Sequence, residues 1–133
     1  MSDDAKALLA VNEAFYRAFA GRDAEAMVAL WARRAPVACI HPGWDALTDH
    51  AAVVASWRQL LANPSSPAVR CRDARAYVLG NAGFVTCHEV LPEGMLVATN
   101  VFVREDGGWK VVHHQAGPVA VPTPSAPPAH RLH

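Results

Sequence analysis

Residues 68–118 read AVRCRDARAYVLGNAGFVTCHEVLPEGMLVATNVFVREDGGWKVVHHQAGP, and the punctuation inside that stretch decides the architecture. Turn formers recur as Gly80 to Gly83, Pro92-Glu93-Gly94 and Asp106-Gly107-Gly108, with β-branched and aromatic residues between them. The pattern predicts four strands, over approximately 69–79, 83–91, 95–104 and 109–116. Connections of a few residues cannot make a parallel crossover, so these strands must run as an antiparallel meander.

Upstream of the meander the apolar period changes from two to that of a helix. Leu8, Val11, Phe15, Ala18 and Phe19 form one stripe, with Asp3 or Asp4 as a cap and Gly21 as a stop. Asp23 is placed to cap a shorter helix in which Met27, Leu30 and Trp31 share a face, and Pro36 breaks into an extended run, Val37 to His41. After the HPGWD loop, Thr48 is placed to cap a third helix carrying Val53, Val54, Trp57, Leu60 and Leu61, which Asn63-Pro64 ends. Helices first and sheet second is the signature of an α+β fold. The stretch after Gly117 is crowded with proline; one domain over 1–118 and an extended or mobile tail over 119–133 are expected.

The 133 residues carry twelve basic and twelve acidic side chains, and no basic run supplies the footprint of a nucleic-acid binder. No segment has the ~20 consecutive apolar residues of a membrane span, and MSDDAKALLA has acids where a signal peptide is positive, so a cytoplasmic protein with neither partner is expected. Cys39, Cys71 and Cys87 lie far apart without a CxxC pair and read as reduced, buried thiols.

Polar residues capable of chemistry gather in HPGW at 41–44, CHE at 87–89, and TN at 99–100 with HHQ at 113–115. If Arg104 faces Trp109, then Phe102 pairs with Val111 and Asn100 with His113; a shift of one residue substitutes His114. Glu89 shares a face with Thr99 and His114 if its turn has three residues, or with Ala98 and Asn100 if it has four. In either register it has a histidine on its face, and a carboxyl beside an imidazole in a partly dry pocket can act as a base or fix a tautomer. His41, Glu89 and one of the two histidines also make a metal-like set, but the spacing has no HExxH or similar motif, and neither metal nor cofactor is expected. Among the tryptophans, Trp31 and Trp57 lie on apolar helix faces where core packing competes with ligand contact; Trp44 sits in a loop near His41, and Trp109 opens a strand.

Three stretches, AGRDAEAMVALWA, HPGWDALTDHAAVVASW and ATNVFVREDGGWKVVHHQAGP, together resemble the SnoaL-like branch of the nuclear-transport-factor-2-like superfamily over roughly residues 5–118. The resemblance implies a cone-shaped domain, in which a curved antiparallel sheet packs against three N-terminal helices and encloses a largely apolar pocket, and a homodimer formed through the sheet. That superfamily includes ketosteroid isomerases, dehydratases, epoxide hydrolases, polyketide cyclases and a kinase association domain, so fold alone does not fix function. Aligned without gaps from Asp23, His41-Pro42 falls where the isomerases carry a proton-shuttling Asp-Pro. Phe15 falls where they carry an oxyanion-stabilising tyrosine, with Tyr16 one position along, and Asn100 matches an inward-looking strand position.

Two functions are therefore expected. One is a cofactor-free isomerase, dehydratase or cyclase acting by proton transfer on an apolar carbonyl compound. It would use His41, Glu89 and His113 as catalytic groups and Tyr16, Trp31, Trp44, Trp57, Asn100 and His114 as substrate contacts. The other is a module of the same fold that binds a ligand or assembles as a dimer without catalysis.

Overall fold

The computed structural model describes residues 1–120, so the expected tail lies almost wholly outside the described residues. Helix α1 spans Asp3–Ala20, α2 Ala24–Ala29 and α3 His50–Ala62. Strand β1 spans Ala38–Ile40, β2 Arg70–Leu79, β3 Ala82–Leu91, β4 Gly94–Glu105 and β5 Gly108–Pro118. The curved, unclosed sheet has the order β1-β5-β4-β3-β2, antiparallel throughout except for the parallel pairing of β1 with β5. This is the α+β arrangement the sequence predicts.

Helix boundaries correct the expected caps by one residue or so. Ser2, not Asp3 or Asp4, caps α1 by accepting the Ala5 N–H, leaving both acids in the first turn where the helix dipole favours them. Asp49 rather than Thr48 caps α3 through the Ala52 N–H. Trp31 is outside α2, which ends at Ala29; the chain there runs extended, with Ala32 N–H donating to Val111 O and Val111 N–H to Leu30 O. Those bonds anchor the first connection to the middle of β5.

All three β-hairpins close on two residues, shorter than the turn clusters suggest, with Leu79 facing Ala82, Leu91 facing Gly94 and Glu105 facing Gly108. At the last turn Asp106 (φ 56°) and Gly107 (φ 77°) both adopt the left-handed conformation that a two-residue hairpin of this twist requires. Gly83 has a different reason to lack a side chain: a Cβ there would lie 2.5 Å from Leu8 Cδ1, so its absence lets α1 settle on the sheet.

The helices cover the inner face of the sheet. Leu8, Phe15 and Phe19 of α1, Trp57 and Val53 of α3, and Val85, Phe102 and Val111 of the sheet form one core with Met27 and Trp31. Burying each of these large side chains contributes about 1.5–3 kcal/mol. The outer face is less covered: Tyr77 stacks on Phe84 at 4.6 Å, and Tyr77, Leu79 and Val97 remain exposed. None of the helices among the described residues is long and apolar enough to cross a membrane.

Candidate functional site

Alternation along β3 puts Val85, Cys87 and Glu89 on the inner face and Phe84, Thr86 and His88 on the outer. Glu89 faces Leu96, and Cys87 faces Ala98, so Glu89 shares its side with Ala98 and Asn100. The two-residue turn has the same parity as the four-residue alternative.

The pairing beyond Asn100 differs from the simple hairpin count. Phe102 faces Val111 and Arg104 faces Trp109 as the turn predicts, but Val101 faces His113 and Asn100 faces His114. Val112 is the extra residue of a β-bulge at this point, and one extra residue exchanges the two faces for everything after it. The expected Asn100–His113 pair is thereby replaced by Asn100–His114. His114 is buried on the inner face, and His113 is half-buried on the outer face, away from Glu89.

The inner-face groups form a chain of hydrogen bonds. Asn12 and Tyr16, one turn apart on α1, reach down to meet it. Tyr16 Oη donates to Glu89 Oε2 at 2.6 Å and accepts from Asn100 Nδ2 (3.2 Å) and Cys87 Sγ (3.4 Å). Asn100 Nδ2 also donates to Asn12 Oδ1 at 2.8 Å, which leaves Asn100 Oδ1 to accept from His114 Nδ1 at 2.5 Å. With its proton on Nδ1, neutral His114 presents its Nε2 lone pair 3.7 Å from Glu89 Oε2, beyond direct hydrogen-bond reach. Burial and then the charges of His41 and His113 push the His114 imidazolium down to about 3. Burial raises Glu89 above the ordinary carboxylate value, against the Tyr16 hydrogen bond that lowers it. Burial and the nearby Glu89 hold the Tyr16 phenol well above its ordinary value.

His41 enters from the other side, directly after β1. Its Nε2 lies 3.0 Å from Ser56 Oγ on α3, and its ring meets Trp44 and Trp57 edge-on, each at 4.9 Å. The His41 and His114 rings are 6.5 Å apart. Burial lowers the His41 pKa below its ordinary value. The neighbouring Cys39 thiol is pushed up to about 12, chiefly by burial, and stays protonated.

A cavity of about 280 Å³ lies against His41, Glu89 and His114, with Phe19, Leu60, Val69, Leu91 and Leu96 as apolar walls and Trp44 at its mouth. Among the described residues no lysine or arginine lines it. Of the remaining sequence candidates, Tyr16 and Asn100 stand behind the cavity wall in the network, Trp57 packs beneath the two imidazoles, and Trp31 belongs to the core against Val111. A broader groove of about 620 Å³ between α1 and β2 touches the back of the network at Asn12 and Tyr16 and carries Arg17 and Arg70. Among the described residues no three His, Cys, Asp or Glu side chains converge as a metal site.

Two polar residues of this arrangement, Asn12 and Ser56, have no place in the sequence reading. Each nevertheless left a signal: Asn12 lies one turn from both Leu8 and Tyr16 on the buried side of α1, and Ser56 sits between Val53 and Trp57 on the buried side of α3.

The model of a SnoaL-like domain matches residues 8–122. A candidate dehydratase of the NTF2-like family from Streptomyces avermitilis is 33% identical, with a TM-score of 0.80 over 89% of this chain and 97% of that one. A candidate calcium/calmodulin-dependent protein kinase type II association domain from Thiobacillus denitrificans is 32% identical, with a TM-score of 0.74 over 84% and 94% of the two chains. The F-box protein SKIP8 of Arabidopsis thaliana is 27% identical over 113 residues; they are 84% of this chain, which thus spans about half (49%) of that curated relative.

Proposed function

The chain belongs to the SnoaL-like domain family, and from that premise we propose that it moves a proton on a small, neutral, apolar carbonyl compound, as an isomerase, dehydratase or cyclase working with its own side chains. The observation that carries this reading is a carboxyl with a raised proton affinity facing the same apolar cavity as two neutral imidazoles. Glu89 is the group that holds and returns the proton, and His41 is the base across the cavity. His114 Nε2 supplies a second lone pair beside Glu89. Asn100 has both ends of its amide engaged, so it orients His114 rather than donating into the cavity. His113 on the outer face has no part in this step. Among the described residues the lining has no lysine or arginine, which favours a neutral substrate over a carboxylate or phosphate, because none of them offsets the desolvation of an anion.

The test is proton exchange. In D₂O, a panel of neutral cyclic ketones and β-hydroxyketones is followed by ¹H NMR for loss of the protons beside the carbonyl. The reading expects wild-type protein to exchange at least one compound, and Glu89→Gln to slow that exchange by about 10²-fold or more. Exchange at the wild-type rate in both Glu89→Gln and His41→Ala refutes it.

A second reading, a binding or assembly module, is favoured by the similarity to an association domain and by the exposed Tyr77, Leu79 and Val97 on the outer sheet face. A homodimer through that face fits either reading. Compounds that bind without exchanging any proton, with a dimer in sedimentation equilibrium that Val97→Glu dissociates, would select this second reading.

A further inference from the structure

Ser56 is almost fully buried on α3, and its hydroxyl touches two groups. Oγ lies 2.7 Å from the Val53 carbonyl oxygen and 3.0 Å from His41 Nε2. A carbonyl oxygen can only accept, so at that distance the single hydroxyl proton must point at Val53; the reverse would set two lone pairs against each other. What remains toward His41 is a lone pair, which accepts a hydrogen bond from Nε2–H. Cys39 Sγ, 3.7 Å from the same nitrogen, adds a second weak acceptor. Nδ1 has no hydrogen-bond partner among the described residues.

We propose that Ser56 sets the tautomer of His41, so that the ring carries its proton on Nε2 and presents an unprotonated Nδ1 as its proton-accepting atom. Asn100 does the opposite to His114, drawing the proton to Nδ1 and leaving Nε2 free. The two rings therefore stand locked in contrary tautomers, each by a partner other than the cavity, and both keep a lone pair for a substrate. Ser56 is a positioning residue and not a nucleophile: its proton is committed to a carbonyl, and the imidazole beside it presents N–H where an activated serine needs a base. That this lone pair serves a reaction rests on the proton-transfer reading above; the tautomer itself does not.

Long-range ¹H–¹⁵N spectra of the full chain with ¹⁵N-labelled histidine, at mildly alkaline pH, read the tautomer directly, with His41→Gln and His114→Gln assigning the signals. The expected result is a protonated Nε2 for His41 and a protonated Nδ1 for His114. Ser56→Ala shifts the His41 tautomer ratio roughly two- to tenfold toward Nδ1–H, the worth of one hydrogen bond. Ser56→Thr restores it, and His114 is unmoved by either change. A wild-type His41 protonated on Nδ1 overturns the inference whether or not Ser56→Ala folds, and so does labelling of Ser56 by a fluorophosphonate probe. The expected tautomers with no exchange on any carbonyl compound would uphold Ser56 in this role and refute the proton-transfer function. The opposite tautomer with intact exchange would do the reverse.

Discussion

Glu89 and Glu105 are both covered glutamates on neighbouring strands, and their surroundings drive them in opposite directions. Glu105, at the end of β4, accepts the backbone N–H groups of Arg33 (2.7 Å), Arg34 (3.1 Å) and Ala35 (3.2 Å). Those donors, foremost Arg33, hold its carboxyl below the ordinary range. Glu89, at the cavity, receives a single hydrogen-bond donor, the Tyr16 phenol, and burial raises it. The difference teaches that cover alone does not set a carboxyl's proton affinity; the number of donors aimed at it does. The fold uses Glu105 to pin the loop between α2 and β1, whereas Glu89 is left able to take up and release a proton.

Four predictions press on this contrast. The largest effect is expected from Glu89→Gln, which keeps the Tyr16 contact but cannot exchange a proton: carbonyl exchange falls by about 10²-fold or more while thermal stability changes by less than about 1 kcal/mol. A large loss of stability instead would make Glu89 a structural group like Glu105. Glu105→Gln should give the reverse pattern, the largest drop in Tm of this set with ligand binding retained, because three backbone donors lose their carboxylate.

Next in size are the pH limbs of stability, measured by urea unfolding. For Glu105 the folded pKa is depressed, so its contribution is present above the unfolded value of 4.5 and is lost as pH falls through the folded one; Glu105→Gln flattens that acid limb. For Glu89 the folded pKa is raised, so stability declines as pH climbs from 4.5 through the folded value, and Glu89→Gln removes the decline. His114, lowered from 6.5 to about 3, adds a loss of stability as pH falls between those values, which His114→Gln abolishes. The smallest effect belongs to Tyr16→Phe. It removes the one hydrogen bond that lowers the Glu89 pKa, so that pKa rises further at a stability loss of about 1 kcal/mol. A fall in the Glu89 pKa would break the argument.

Much of this was legible in the residues because it is local. The helix stripe Leu8–Phe15–Phe19, the stops at Gly21 and Asn63, and the hairpin punctuation at Asp106-Gly107 each act within a few residues of the chain. The convergence of His41 and Glu89 on one hollow also follows from element order and strand alternation. What stayed hidden depends on contacts distant in sequence. The bulge at Val112, which brings His114 rather than His113 to Asn100, has no signature among the β-branched residues around it. Glu105 meets its donors about seventy residues earlier, and at a strand end it reads as an ordinary surface acid. Trp31 carries helical spacing but is held extended by β5, where tertiary bonding overrides local period.

Carbon-detected NMR titration of the glutamate side-chain carboxyls tests the contrast most directly. The account predicts that Glu89 titrates above 4.5 and Glu105 below it, in the same sample. A Glu89 carboxyl that titrates at or below 4.5 would contradict it, because the cavity would then hold a fixed carboxylate in place of a group that can give and take a proton.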